Sequence, residues 1–276
     1  MYTKHEMIVE LKYSNTNTYL IRGSAGCILF DTGWAGTFPL FCKAIKEAGI
    51  TIPEIRYILI SHFHPDHMGI AEEIAECGPK IVVFDVQKSF IHAADSVFEK
   101  ENNRYFKPIR EENVMTVSMN DSRRLIKEIG LNGEVLATPG HSDDSISLYL
   151  DEGFLFVGDL NPLYELELHK GTEIEKSWNM LLKHDPHTIY YGHAKTGIMH
   201  QNPDQNSDHN ADTKNRDLYE LVQRIMHYID KGYSIEKIKK KTSADACFIE
   251  DVNRMYLTHR NVGVQGILDR IEIKGR

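Results

Sequence analysis

The alternation of apolar and polar positions divides the first half of the chain into short strands and helices. Three strands are predicted within residues 6–33, where β-branched and aromatic residues alternate with polar ones and glycines mark the turns. The pattern then predicts helix 37–48, strand 57–60, helix 70–77 and strand 80–84. This alternation of strand and helix indicates helices packed in layers against a sheet.

The middle of the chain has a weaker pattern, and a second block of strands follows it. Residues 86–130 are predicted to be mostly helical, with the clearest helices at 86–100 and 122–129. The later elements are strands 134–138, 145–150 and 154–157, helix 172–183 and strand 187–191. Two blocks of strands that each carry helices predict an α/β fold of four layers, with two sheets face to face and helices outside.

The end of the chain is predicted to be helical. Residues 201–213 are polar and nearly free of apolar side chains, which is typical of a linker. The helices predicted beyond it are 214–231, 234–241, 248–259 and 262–271. We therefore expect a main domain at 1–200, the linker, and a helical appendage at 214–276. Because the first of these helices carries an apolar stripe that must be buried, we expect the appendage to pack on the main domain.

Composition and charge narrow the classes of protein. The chain has 276 residues, of which 41% are hydrophobic and 26% charged, as in an ordinary globular protein. The formal net charge of -8 argues against a broad nucleic-acid surface. No signal peptide is visible, and no apolar run approaches the roughly 18 residues that span a bilayer. We expect a cytoplasmic protein with neither a membrane nor a nucleic acid as partner.

The cysteines do not indicate a structural site. They are Cys27, Cys42, Cys77 and Cys247, which lie far apart and form no CxxC pair. This spacing argues against a disulfide framework or a thiolate zinc site and favours reduced thiols.

Four potential metal ligands lie within one short segment directly after an apolar strand. The segment is HFHPDH, and its potential ligands are His62, His64, Asp66 and His67. Imidazole and carboxylate ligands suit zinc, iron or manganese rather than calcium. The segment therefore predicts a metal site with no contribution from thiolates.

Three further predicted strands end in a glycine that is followed by a potential ligand. These ligands are His141 in TPGH, Asp159 in FVGD and His193 in YGH. Each of these segments alone is most simply a turn, in which the glycine allows a close approach of the backbone. Together with HFHPDH, and in this order, they indicate one site to which all the ligands converge.

This set of motifs resembles that of the metallo-β-lactamase superfamily over about residues 5–200, and Asp31 in LFDTG supplies the remaining motif. The resemblance implies an αββα sandwich with a metal site at one edge between the sheets. It implies that Asp31 orients a ligand histidine or stabilises the loop from outside the metal shell. The implied ligands are His62, His64 and His141 for a first metal, Asp66, His67 and His193 for a second metal, and Asp159 as the bridge.

Such a site predicts hydrolysis. We expect two divalent ions, zinc with iron or manganese as alternatives. Two ions roughly 3.5–4 Å apart can share one water molecule and lower its pKa to near neutrality. Asp66 would bind metal and also take up the proton of the nucleophile. We expect cleavage of an ester-like bond in a small molecule: a phosphodiester, a thioester or a lactone. A true β-lactamase is not expected without an export signal.

Two alternatives stay open at this point. Mononuclear iron persulfide dioxygenases share the HxHxDH pattern, and a regulatory protein without turnover would also retain the ligands. Flavin-linked diiron relatives carry a glutamate where this chain has His64, which argues against oxygen reduction by that route. The sequence does not indicate the substrate, the native metal or the oligomeric state.

The residues that set specificity are not identified by sequence. Five aromatic residues lie in the variable parts, where they line the entrance to the site or pack in the core. They are Phe90, Phe98, Tyr105, Phe106 and Tyr164.

The lysine run at 237–241 is better explained as a solvated helix face than as part of a helix-turn-helix, because the whole protein is acidic. The basic pattern with which the glyoxalase II branch binds glutathione is not matched.

Overall fold

The first sheet is mixed, with an antiparallel half and a parallel half. The computed structural model describes residues 7–199, 212–258 and 262–274. Strands β1 to β3 are antiparallel neighbours, and β3 to β6 are parallel neighbours joined by crossovers that carry helices. The strands are β1 (Ile8–Leu11), β2 (Thr18–Gly23), β3 (Gly26–Phe30), β4 (Ile55–Leu59), β5 (Lys80–Phe84) and β6 (Val114–Val117).

The second sheet has the spatial order β11-β10-β9-β8-β7. Its neighbours are antiparallel except for β9 and β10, which run parallel. The strands are β7 (Gly133–Ala137), β8 (Ile146–Leu150), β9 (Phe154–Phe156), β10 (Thr188–Tyr190) and β11 (Gly197–Ile198).

Helices cover the outer faces of both sheets and form the end of the chain. They are α1 (Phe38–Glu47), α2 (Pro65–Met68), α3 (Ala71–Ala75), α4 (Asp95–Lys100), α5 (Ser122–Glu128), α6 (Glu173–Leu181), α7 (Asp212–Asp230), α8 (Ile235–Thr242), α9 (Ala246–Thr258) and α10 (Val264–Lys274). Of the helices in the described ranges, none is both long enough and apolar enough to cross a membrane. The exposed lysines at 237–241 lie on α8.

The apolar core lies between the two sheets and on their outer faces. Phe30 and Phe84 of the first sheet and Phe156 of the second belong to the buried cluster between the sheets. Phe41 of α1 packs on the outer side of the first sheet, and Trp178 of α6 packs on the outer side of the second. The predicted four-layer α/β sandwich with C-terminal helices is thereby confirmed.

The segment predicted as one helix at 86–100 is interrupted. Asp85–Phe90 forms 3-10 turns, and α4 begins only at Asp95. Gln87 is fully buried, and its Nε2 donates to the carbonyl oxygens of Ile60 at 2.9 Å and Asp144 at 3.2 Å. These bonds draw the segment towards the sheet edge, which a continuous surface helix does not permit. Strands β6 and β11 were also not predicted from the sequence.

The C-terminal helices enclose an apolar cluster of their own. Its fully buried members include Val222 and Ile225 of α7, Ile249 and Val252 of α9 and Ile267 of α10. The predicted linker at 201–213 lies outside the described residues except for its last two, which begin α7. The division at 1–200 and 214–276 stays a prediction.

Polar contacts join α10 and the residue before it to loops of the strand domain. The Tyr164 hydroxyl donates to Asp269 Oδ2 at 2.6 Å. The backbone N–H of Gly263 donates to Glu165 Oε1 at 2.7 Å. An ion pair of 2.7 Å joins Lys195 to Glu272. These contacts place the last helix beside the loops that follow β9 and β10.

Candidate metal centre

The seven potential ligands meet at one edge of the sandwich. The HFHPDH segment follows β4 and runs into α2, whose first residue is Pro65. A proline suits the first turn of a helix, because its missing N–H would have no helical partner there. The other three ligands are His141 after β7, Asp159 after β9 and His193 after β10. The ends of four strands from two sheets therefore supply one site.

The first group of ligand atoms consists of three histidine nitrogens. His62 Nε2 lies 2.9 Å from His64 Nδ1, and His141 Nε2 lies 3.1 Å from the same atom. Burial holds the pKa of His62 well below its ordinary value and also lowers the pKa of His64. Both rings are therefore neutral at physiological pH, and the neutral imidazole is the form that binds a metal.

The second group consists of one carboxylate and two histidines. Asp66 Oδ2 lies 2.9 Å from His193 Nε2 and 3.9 Å from His67 Nε2. Both Nε2 atoms are buried, and neither is aligned for a hydrogen bond with a described residue. Burial opposes the charge on Asp66, but His67 and His193 outweigh it and lower its pKa. The carboxylate is therefore ionised.

Asp159 lies between the two groups. Its Oδ1 is 3.2 Å from His67 Nε2 and 3.4 Å from His193 Nε2. Its Oδ2 faces the other group, 3.6 Å from His141 Nε2. Although burial opposes ionisation, His193 and His67 hold the pKa of Asp159 well below its ordinary value. One ionised carboxylate thus presents one oxygen to each group.

The proton positions on the second group show that it fits a metal cation. His67 Nδ1 lies 2.8 Å from Asp31 Oδ2, and His193 Nδ1 lies 2.9 Å from the carbonyl oxygen of Asn15. These oxygens only accept, so each Nδ1 carries a proton and each Nε2 is left to face the carboxylates. The carboxylates raise the pKa of His67 well above its ordinary value in spite of its burial, so a positive charge is stabilised at this place. A divalent metal would supply that charge in place of a proton on the ring.

The Asp31 carboxylate fixes the ligand loop through hydrogen bonds. The side chain is fully buried, and its oxygens accept from the Ser61 backbone N–H at 2.7 Å and the Ser61 hydroxyl at 2.9 Å. The same carboxylate binds the His67 ring. Its backbone has φ = 62°, a left-handed conformation that aspartate tolerates better than most residues. Asp31 therefore connects the end of β3 to the start of the ligand loop.

Two of the glycines before the ligands are required by close contacts. A Cβ on Gly158 would lie 2.4 Å from Ser61 Oγ, and this residue has φ = 53°. A Cβ on Gly192 would lie 2.7 Å from Asp159 Oδ1 and 2.9 Å from His67 Cε1. A side chain at Gly158 would displace Ser61 next to the ligand loop, and a side chain at Gly192 would displace the candidate ligands Asp159 and His67.

Several supporting residues were not predicted from the sequence. Asp144 is buried, and its Oδ2 accepts from the backbone N–H of Phe63 at 2.7 Å, between two ligand histidines. Asn17 Nδ2 donates to the carbonyl oxygens of Tyr191 at 2.9 Å and Ala194 at 3.0 Å, around His193. The NTNT and HSDD segments that contain these residues have the composition of ordinary turns, so local pattern gave no signal.

A cavity of about 730 Å³ opens over the site. His64, Asp66, His141 and His193 lie on its floor. Its lining also includes Trp34, Thr37 and three residues of the C-terminal helices. Those three are Arg254, Met255 and Arg270.

None of the five aromatic residues that were candidates for the entrance is among the described lining of this cavity. Phe98 stacks on Phe106 with ring centroids 4.0 Å apart, and Phe90 packs in the same cluster. Tyr105 is exposed, and Tyr164 binds Asp269. The aromatic side chain that does line the cavity is that of Trp34, which rests on Phe98 and was not singled out from the sequence.

Comparison with known proteins agrees with this geometry. Residues 12–193 match the model of the metallo-beta-lactamase superfamily. The beta-lactamase-like protein 2 homolog of Caenorhabditis elegans is 30% identical over 147 residues, covering 52% of this chain and 43% of that protein. The homolog of the same name from Drosophila melanogaster is 29% identical over 193 residues, covering 65% and 58%. The chain thus spans about half the length of these curated relatives.

Solved structures show the same fold. A metallo-beta-lactamase family protein from Thermus thermophilus superposes with a TM-score of 0.52 at 20% sequence identity. The match covers 79% of this chain and 81% of that protein. At this identity the likeness concerns the fold alone.

Proposed function

This chain belongs to the metallo-β-lactamase superfamily, and on that premise we propose that it is a metal-dependent hydrolase that cleaves an ester-like bond of a small molecule. Two further relatives support hydrolysis. The hydroxyacylglutathione hydrolase of Buchnera aphidicola is 29% identical over 140 residues, and the atrochrysone carboxyl ACP thioesterase of Aspergillus fumigatus is 26% identical over 147 residues. The bond is a thioester, a lactone or a phosphodiester, and the expected location, the cytoplasm, stays a prediction.

The observation that carries the proposal is the position of Asp159 between two complete groups of ligand atoms. One oxygen faces His67 and His193 and the other faces His141. A mononuclear iron dioxygenase needs only one such group. In that case the convergence of Asp66, His67 and His193, with Asp66 Oδ2 only 2.9 Å from His193 Nε2, would have no part in metal binding. The dinuclear hydrolase therefore accounts for more of the site.

Each residue has a distinct part in the proposed mechanism. His62, His64 and His141 would hold one divalent ion, Asp66, His67 and His193 a second, and Asp159 both. Such ions would supply Lewis-acid chemistry there: they would lower the pKa of a bound water and polarise a substrate carbonyl or phosphoryl oxygen.

The protein residues then manage protons and orientation. Asp66 lies at the floor of the cavity with its side chain 21% exposed, and its ionised carboxylate takes up the proton of the attacking water. Asp31 keeps the His67 ring oriented, as the partners of metal-binding histidines generally do. Trp34 and Met255 form apolar parts of the wall that shield the reacting bond from bulk water.

Metal content tests the dinuclear site directly. Elemental analysis of the purified protein should give about two divalent ions per chain, with zinc expected and iron or manganese as alternatives. Asp159→Asn should lose at least the second ion, because the bridging carboxylate is the ligand that both ions share. Asp151→Asn, which alters an exposed carboxylate paired with Arg123, is the matched control and should keep both. A single iron per chain in the wild type would refute the dinuclear site.

A panel of substrates tests the reaction. The metal-loaded protein is assayed on a phosphodiester, a thioester and a lactone, and oxygen consumption is followed with a persulfide. At least one hydrolysis should be detected, and His64→Ala should abolish it. Oxygen consumption without hydrolysis would establish the dioxygenase instead. A cellular role that survives His64→Ala, with no turnover of any substrate, would favour a regulatory protein.

A further inference from the structure

Arg270 of α10 is a buried cation on the wall of the cavity above the metal centre. The residue is only 8% exposed, although it borders the same cavity as His64, Asp66, His141 and His193. Its Nη1 donates to the carbonyl oxygen of Gly266 at 3.1 Å, one turn back in its own helix. Its Nε has no hydrogen-bond partner in the described part of the chain.

The charge of Arg270 is not neutralised within the described residues. No described carboxylate lies within 4.0 Å of its guanidinium, whereas the other arginine on this wall, Arg254, pairs with Asp251 at 3.2 Å. Burying a charge without a counter-charge costs several kcal/mol in general. The nearby carboxylates of Glu165 and Asp269 already accept bonds from Gly263 and Tyr164.

Holding α10 in place does not explain Arg270. The contacts that join this end of the chain to the strand domain are made by Tyr164, Glu165 and Lys195 with other residues. The one hydrogen bond that Arg270 makes to a described residue lies within its own helix. A guanidinium at this position is therefore available to a group that enters the cavity.

We propose that Arg270 binds an anionic group of the substrate, a carboxylate or a phosphate, while the reacting bond lies over the metal centre. A guanidinium fits both groups because its planar N–H donors match two oxygens at once. The carboxylates that line the cavity are Asp66, a candidate metal ligand, and Glu101, which is exposed. This assignment rests on the proposed function, since it names the class of substrate for the same site.

The test is equilibrium binding of two small anions to the metal-loaded protein. Dissociation constants of inorganic phosphate and of glutarate are measured by calorimetry for wild type, Arg270→Met and Arg270→Lys. Arg270→Met should raise the dissociation constant of at least one anion by about tenfold or more, which corresponds to about 1.4 kcal/mol. Arg270→Lys should lie in between, because it keeps the charge but loses the planar donors. The anion that loses more affinity identifies the class.

Lys195→Met is the matched control. It removes one positive charge and the ion pair to Glu272 on α10, but the residue does not line the cavity. It should leave both dissociation constants within about twofold of wild type. Imidazole, a neutral metal ligand, should bind all four proteins equally, and thermal unfolding and metal content verify that each variant is folded and loaded.

Three results would overturn the proposal, and the first two are no measurable binding of either anion by wild type, and equal binding by wild type and Arg270→Met. An equal loss in Arg270→Met and Lys195→Met would also overturn it, because the effect would then come from net charge or from docking of α10. Binding requires no turnover, so this outcome is separate from that of the substrate panel. Failure of every hydrolysis assay would refute the proposed function and leave the anion site standing.

Discussion

Replacing Asp31 by alanine tests whether this carboxylate organises the metal centre from outside it. The change removes the acceptor of three hydrogen bonds, from the Ser61 backbone N–H, the Ser61 hydroxyl and His67 Nδ1. All three donors are buried, and none can turn to bulk water. We therefore expect both a loss of stability in the metal-free protein and a loss of metal affinity.

The size of each effect follows from the contacts. The Ser61 N–H would be left without an acceptor, and the His67 N–H would keep only Ser61 Oγ, 3.3 Å away, at about 1–3 kcal/mol per buried donor. The Ser61 hydroxyl can turn to His62 Nδ1, 3.1 Å away, so its loss adds little. Alanine at φ = 62° adds about 1–2 kcal/mol of backbone strain. The free energy of unfolding should therefore fall by about 3–8 kcal/mol, and the metal affinity should fall about 10–100-fold.

The assay is urea unfolding with a chelator present, followed by metal titration with a competing dye. Asp31→Asn is the comparison, because asparagine tolerates the same backbone conformation and keeps one acceptor oxygen. It should lose about half as much stability as the alanine variant. A loss below about 1 kcal/mol for Asp31→Ala, together with unchanged metal affinity, would refute the role given to this carboxylate.

Three further outcomes are expected. The pKa of His67 lies well above its ordinary value because the carboxylates, Asp159 foremost, outweigh burial, so at pH 7 the metal-free ring holds a proton. Binding of the second metal should release about one proton, seen by calorimetry in two buffers, and affinity should rise with pH until that pKa is passed. Gly192→Ala should lower the metal affinity, because the added Cβ would clash with Asp159 and His67. Gly197→Ala is the control and should leave the metal affinity unchanged, because its added Cβ makes only ordinary contacts. Tyr164→Phe should cost about 1 kcal/mol in urea unfolding, since the lost bond to the last helix is partly exposed.

The convergence of the candidate metal ligands could be predicted because their sequence pattern is local. A histidine or aspartate that directly follows a buried strand lies at the edge of the sheet where that strand ends, independently of the rest of the chain. Strands β4, β7, β9 and β10 all end at that edge. The residue type, the preceding glycine and the strand end are all visible in the sequence, and the structure brings the seven side chains together.

The supports of the ligand loop could not be predicted, because they depend on distant segments. Gln87 binds the carbonyl oxygen of Asp144, 57 positions away, and Asp144 holds the backbone of Phe63. A single buried glutamine within an otherwise helical pattern gives no indication of its partner. The same contact interrupts the helix expected at 86–100. One long-range bond therefore explains why neither the support of the ligand loop nor the interruption of this helix was predicted.

The C-terminal helices show what an apolar stripe does and does not predict. The stripe of α7 was the reason to expect the appendage to pack on the strand domain, and that packing stays a prediction. Val222 and Ile225 of the stripe are buried among α8 to α10. Periodicity predicts that a face is buried, and it carries no information about the partner. The apolar face of α7 is buried among the C-terminal helices. These helices contact the strand domain through polar groups such as Tyr164 and Asp269. The polar contacts that join the helix carrying Arg270 to the strand domain involve none of the seven candidate ligands. We therefore expect substitutions of Arg270 to change anion binding and to leave the metal content unchanged.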